Sequence, residues 1–98
     1  MITGPEDIYT AKERYQGYGL ALEAAGMSID PGLVVHSDYT IRGAVAGVEQ
    51  LLDDHPEITA LFAANYEMTM GTMIVLNERG ISIPDEMSVI GFDNREFA

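Results

Sequence analysis

Residues 58–63, Ile58-Thr59-Ala60-Leu61-Phe62-Ala63, form a short, nearly continuous apolar run, and Ala64-Asn65 joins it to a longer apolar segment from Tyr66 to Arg79, followed by Gly80. Six residues without polar alternation suit a strand covered on both faces. Asn65 has the short acceptor side chain that caps a helix, and Gly80 can adopt the left-handed stop, so the pattern predicts a helix over 66–79. That helix is apolar on most sides through Met68, Met70, Met73, Ile74, Val75 and Leu76, which predicts deep burial or an interface.

The flanking sequence repeats the same alternation. Upstream, Thr40 can cap a helix with an apolar face of Ile41, Val45, Val48 and Leu52, ending before Pro56 because the residue preceding proline resists helical geometry. Before it, the turn cluster Asp30-Pro31-Gly32 leads into Leu33-Val34-Val35-His36, a buried-strand candidate. A first amphipathic helix is predicted between Pro5 and Gly26, with Ile8, Ala11, Tyr15, Tyr18, Leu22 and Ala25 as its stripe and Pro5 at its first position. Downstream, Met87 to Gly91 reads as a strand, and 92–98 as a loop. Strands alternating with helices predict an α/β fold, a three-layer α/β/α unit with a parallel sheet covered on both faces. Met1-Ile2-Thr3 reads as the stump of a first strand, which in doubly wound sheets lies between its neighbours. So short a strand predicts a weak centre and a chain that is a piece of something larger.

Composition removes several function classes. With 98 residues the chain makes one domain at most, and its 47% hydrophobic content supports a core. Five Lys plus Arg against sixteen Asp plus Glu give a formal net charge of -11, which disfavours contact with nucleic-acid phosphates or an anionic membrane surface. No run approaches the roughly 20 apolar residues of a spanning helix. The absence of cysteine rules out disulfides and thiolate chemistry and fits a reducing interior, and the N-terminus lacks the pattern of a secretory signal, so a cytoplasmic location is expected.

In open parallel sheets ligands bind outside the carboxyl ends of the strands. That rule selects Ser37-Asp38-Tyr39, Asn65-Tyr66-Glu67 and Asp93-Asn94-Arg95. Aromatic rings beside carboxylate and amide groups suit a polyol or sugar. Each residue also has a plainer role: Asp38 and Asn65 as helix caps, Asp93 as a turn residue, Tyr39 as a plug at the core's rim, and Arg14 in an exposed ion pair with Asp7 or a neighbouring acid. No catalytic group, metal site or cofactor is expected. His36 and His55 lack companion ligands at zinc spacing, the run His36-Ser37-Asp38 cannot align a triad, and Gly17-Tyr18-Gly19 lies within a helix rather than after a strand.

Four segments, in order, resemble the effector-binding core of LacI/GalR-type bacterial transcription regulators: Glu13-Arg14-Tyr15-Gln16-Gly17-Tyr18, Ser37-Asp38-Tyr39-Thr40, Thr59 through Met68, and Ile83 through Asn94. The resemblance implies a type I periplasmic-binding-protein fold, a half-domain made of most of the C-terminal subdomain, with the DNA-binding headpiece and N-terminal subdomain absent. It implies that Arg14 contacts ligand hydroxyls, that Tyr39 stacks on the ligand, and that Asn65 and Asp93 complete the site. It also implies a non-enzymatic sensor of a small-molecule effector, a carbohydrate by class, that meets DNA only through the headpiece. Homodimerisation, with or without exchanged elements, is expected separately, because an open parallel sheet exposes unpaired strand groups. Tyr66 stands where relatives usually have Asp, and Ser37 where they have Gly. A sugar-binding protein of a transport system shares the fold and is the alternative. A flavodoxin-like enzyme or receiver domain would need an acidic cluster after the first strand and an Asp closing the third, whereas Thr3-Gly4-Pro5 and Ala63-Ala64-Asn65 stand there. A third alternative is an interaction module in which the apolar third helix or an exposed sheet edge drives self-association.

Overall fold

The computed structural model describes residues 1–91. Its elements in chain order are β1 (Ile2–Thr3), α1 (Tyr9–Ala24), β2 (Val35–His36), α2 (Ile41–Asp54), β3 (Ala60–Ala63), α3 (Tyr66–Glu78) and β4 (Ser88–Gly91). All four strands are parallel and lie in the order β2-β1-β3-β4. The two-residue β1 therefore sits between β2 and β3, as expected of a first strand in a doubly wound sheet. It is short but not weakly held. Ile2 and Thr3 are fully buried, Val35 and Ser37 donate to the Met1 and Thr3 carbonyls, and Ala64 donates to the Ile2 carbonyl.

One face of the sheet is closely packed. Ile2, Val48, Leu51, Leu52, Leu61, Met68, Val75, Leu76 and Met87 form the core that α2 and α3 close. Both helices are capped as their sequences predict: Thr40 Oγ1 accepts from the Gly43 N–H at 2.9 Å, and Asn65 Oδ1 from the Met68 N–H at 2.9 Å. Gly80 takes φ 67°, ending α3. The helices touch at Gly71, where a Cβ would overlap Ala44 and crowd the Ile41 carbonyl. The apolar α3 is thus half core and half surface: Met68 is buried, whereas Met73 is exposed.

The other face departs from expectation. Pro5 does not open α1; its carbonyl accepts from the Ile8 N–H in a turn, Ile8 is extended, and the helix begins at Tyr9. The turn is needed to carry the chain off the buried end of β1. Of the predicted stripe only Ala11 is buried, and Tyr18 stacks on Phe62 with ring centroids 6.1 Å apart across a groove of about 750 Å³. Burial pushes the Tyr18 phenol above its ordinary pKa, and Tyr15 and Asp30 push the same way. The third layer exists, but it covers its sheet face only in part. β2 is also shorter than predicted, because Asp30 accepts from the Gly32 N–H and bends Pro31–Leu33 into a 3-10 turn. β3 likewise starts at Ala60 rather than Ile58.

Two substitutions probe this packing. Gly71→Ala should cost about 2 kcal/mol in urea unfolding, because the Cβ has no space between α2 and α3. Thr3 Oγ1 is buried without a hydrogen-bond partner among the described residues, so Thr3→Val should gain about 1 kcal/mol in the same assay.

Candidate functional site

Parallel pairing brings the ends of β1, β2 and β3 to one rim, where Gly4, Ser37 and Ala64 follow the strands. Gly4 is buried, and a Cβ on it would overlap the Tyr39 ring, so the missing side chain is what lets the aromatic ring lie against the end of the central strand. Tyr39 is half-buried against the core and adopts φ 66°, a conformation that is uncommon outside glycine. Its phenol oxygen stands 3.5 Å from Thr10 Oγ1 on α1.

Arg14 lies one helical turn after Thr10, on the same side of α1. It reaches across to the sheet: Arg14 Nη1 donates to the Ala64 carbonyl at 2.6 Å, just past the end of β3. The next residue is Asn65. Its Oδ1 is committed to the α3 cap, and its carbonyl accepts from Thr69 Oγ1 at 2.7 Å, which leaves the Nδ2 amide as the group it can direct toward a ligand. The site is therefore joined through α1, Tyr39 by way of Thr10 and Asn65 by way of Arg14. Asp93, the fourth expected residue, lies outside the described residues.

Asp38 takes its plainer role. Its Oδ1 accepts from Thr40 Oγ1 at 2.6 Å, from the Thr40 N–H at 3.0 Å and from Ser37 Oγ at 3.4 Å, fixing the turn that aims Tyr39 and caps α2. The Thr40 hydroxyl and then the Thr40 N–H hold the Asp38 carboxyl below its ordinary pKa. His36 ends β2, with Nδ1 at 3.3 Å from the Gly4 carbonyl and Nε2 at 3.5 Å from Glu6, and His55 ends α2 beside Glu57 at 3.4 Å. No group of three or more His, Cys, Asp or Glu that could hold a metal ion exists among the described residues. No helix among them is long and apolar enough to cross a membrane.

Two contributors escape the sequence-level selection, Gly4 and Thr10. Each carried a signal. Gly4 directly follows the central strand, and Thr10 stands four residues before Arg14, the spacing that puts two side chains on one helix face. What this rim offers is an aromatic face, a guanidinium, an amide and hydroxyls around the end of a strand, a set chemically suited to a polar ligand with an apolar face.

The family described as periplasmic binding protein-like domain matches residues 1–98. The chain is 40% identical over 97 residues to the HTH-type transcriptional regulator CelR of Thermobifida fusca, covering 99% of this chain and 28% of that protein. It is 39% identical over 94 residues to the HTH-type transcriptional regulator AscG of Escherichia coli (strain K12), covering 96% and 28%. It thus spans less than a third of these relatives. Among solved structures, a sugar-binding transcriptional regulator of the LacI family from Escherichia coli, complexed with phosphate, superposes with a TM-score of 0.87 at 38% identity, covering 99% of this chain and 35% of that one. A CelR–cellobiose complex superposes with a TM-score of 0.86 at 41% identity, covering 92% and 28%.

The Asp38 turn gives a pH signature. A carboxyl whose folded pKa lies below its unfolded value stabilises the fold fully above the unfolded pKa of about 4, and that contribution is lost as pH falls through the folded value. Asp38→Asn should therefore flatten the acid limb of the stability curve below about pH 4, measured by urea unfolding at a series of pH values.

Proposed function

Because this chain belongs to the periplasmic binding protein-like domain family, among its LacI-type transcriptional regulators, we propose that it is the effector-sensing part of such a regulator, most of the C-terminal one of two lobes that close on a small molecule. The observation that carries this reading is the convergence of Tyr39, Arg14 and Asn65 on one rim, tied together through α1. The motif resemblance adds Asp93, which lies outside the described residues, as the fourth contact of this reading. The effector is a carbohydrate: the Tyr39 face stacks on the CH side of a sugar ring while Arg14 and Asn65 bond its hydroxyls. A relative's cellobiose complex supports that class.

The chain senses and does not catalyse. DNA contact belongs to a headpiece outside it, since a formal net charge of -11 leaves little with which to displace counterions from phosphates. Closure of two lobes on the effector shifts the population between two arrangements and with it the spacing of paired headpieces, which makes the working unit a cytoplasmic homodimer with no membrane contact.

In the intact regulator, adding the cognate carbohydrate should change operator affinity in a gel-shift assay, and Tyr39→Ala should raise the half-effective concentration at least about tenfold, the loss of one stacking contact of about 1.4 kcal/mol. Operator binding indifferent to a panel of mono- and disaccharides would reject the carbohydrate assignment. The 98-residue chain alone holds one side of the cleft and should bind sugar no tighter than millimolar; micromolar affinity by calorimetry would show that the second lobe is not needed.

A further inference from the structure

His36 closes β2 directly opposite Thr3, and its ring bridges three segments of the chain. Nδ1 stands 3.3 Å from the Gly4 carbonyl, Nε2 stands 3.5 Å from Glu6 in the turn before α1, and the ring lies beside Tyr15 of α1 with centroids 6.1 Å apart. A carbonyl only accepts, so the contact with Gly4 places a proton on Nδ1. A second proton turns Nε2 into a donor toward Glu6 and leaves the bond to Gly4 in place. The ring therefore holds the Gly4 carbonyl in either protonation state.

That carbonyl needs such a partner. The backbone bonds between β1 and β2 end one residue earlier, where Ser37 donates its N–H to the Thr3 carbonyl at 2.7 Å. Pro5 follows Gly4, so the peptide joining them has no N–H, and of its polar groups only the oxygen is left to fix its plane. Glycine itself turns freely about both backbone dihedrals. Yet the tip of the Tyr39 ring lies on this residue, so closely that a Cβ would overlap Cζ and both Cε atoms. The Thr10 hydroxyl, 3.5 Å from the phenol oxygen, is too long a contact to hold the ring by itself.

We propose that His36 is a positioning residue of the effector site: by holding the Gly4 carbonyl it sets the peptide plane on which the Tyr39 ring is seated, and with it the angle at which the aromatic face meets a ligand. The inference deepens the effector reading and rests on it for its purpose, but the seat exists without a ligand. A packing role would be served by any side chain of similar volume. This role needs an N–H donor at the δ position of the ring.

NMR of the isotope-labelled 98-residue chain, with no effector added, tests it. Long-range proton–nitrogen correlations of the His36 imidazole should show the neutral ring protonated at Nδ1, the minority tautomer of free histidine. The Gly4 Hα protons should be displaced by the ring current of Tyr39, with Tyr39→Leu as the undisplaced reference. His36→Leu should remove most of that displacement. His36→Asn, whose Nδ2 stands where Nδ1 stood, should restore it, whereas His36→Gln, with its amide at the Nε2 position, should not. A neutral ring protonated at Nε2, a Gly4 displacement unchanged in His36→Leu, or a His36→Asn chain that behaves like His36→Leu would each overturn the proposal. The tautomer is read on the wild-type chain and so decides whether or not a variant folds. No sugar enters the experiment, so its failure leaves the carbohydrate assignment standing, and a regulator indifferent to sugars leaves the seat of Tyr39 standing.

Discussion

The parallel pairing of β1 with strands on both sides is the constraint on which the rest of the molecule depends. Two residues carry it. Ile2 fills the core beneath α2 and α3, and the backbone of residues 1–3 is tied to β2 on one side and to Ala64, just past β3, on the other. Parallel strands point their carboxyl ends the same way, so once β1 is fixed the segments that follow β1, β2 and β3 must share a rim. The burial of Ile2 and Thr3 explains how so short a strand can lie at the centre of a sheet. Its neighbours supply the hydrogen bonds, and the packed helices exclude water from them.

The rim is held by devices that also serve the fold. Asn65 caps α3 through its side-chain oxygen, which leaves the nitrogen of the same amide for the proposed ligand contact. Asp38 aims Tyr39 by fixing the turn before α2. Tyr39 sits at φ 66° against a glycine that could not carry a side chain. A strained aromatic backbone against a buried glycine is a costly arrangement, and its place at the strand ends is where binding sites accumulate such strain. Arg14 spans from α1 to the carbonyl before Asn65 and so ties the helix to the strand-end rim.

The two sheet faces differ in how far they are finished. Under α2 and α3 the core is closed by leucine, valine and methionine, and Gly71 lets the helices approach. Under α1 the packing rests on Ala11 and the stack of Tyr18 on Phe62, with a groove beside it. Ala11 is the only residue of α1 that is fully buried, though four of the six residues of the predicted stripe are aromatic or branched. An amphipathic helix therefore declares that it has an apolar face without declaring that the face is filled.

The sequence by itself determined the alternation of strands and helices, the caps at Thr40 and Asn65, the stop at Gly80 and the central place of β1. Each follows from local chemistry: an acceptor side chain before a helix, a residue free to turn left-handed, and the topology that right-handed crossovers permit. Tyr39 and Asn65 were legible for the same reason, because residues just past parallel strands must share an edge; Asp93 belongs to that rule but falls outside the described residues. Arg14 was legible only through its motif, since nothing local sends a helix side chain to the Ala64 carbonyl. Tertiary structure alone decided that reach, the start of α1 at Tyr9, the contact of Tyr39 with Gly4 and Thr10, and the open groove. All four depend on how α1 is set over the sheet, and that setting is fixed by contacts far apart in sequence, which neither periodicity nor capping encodes.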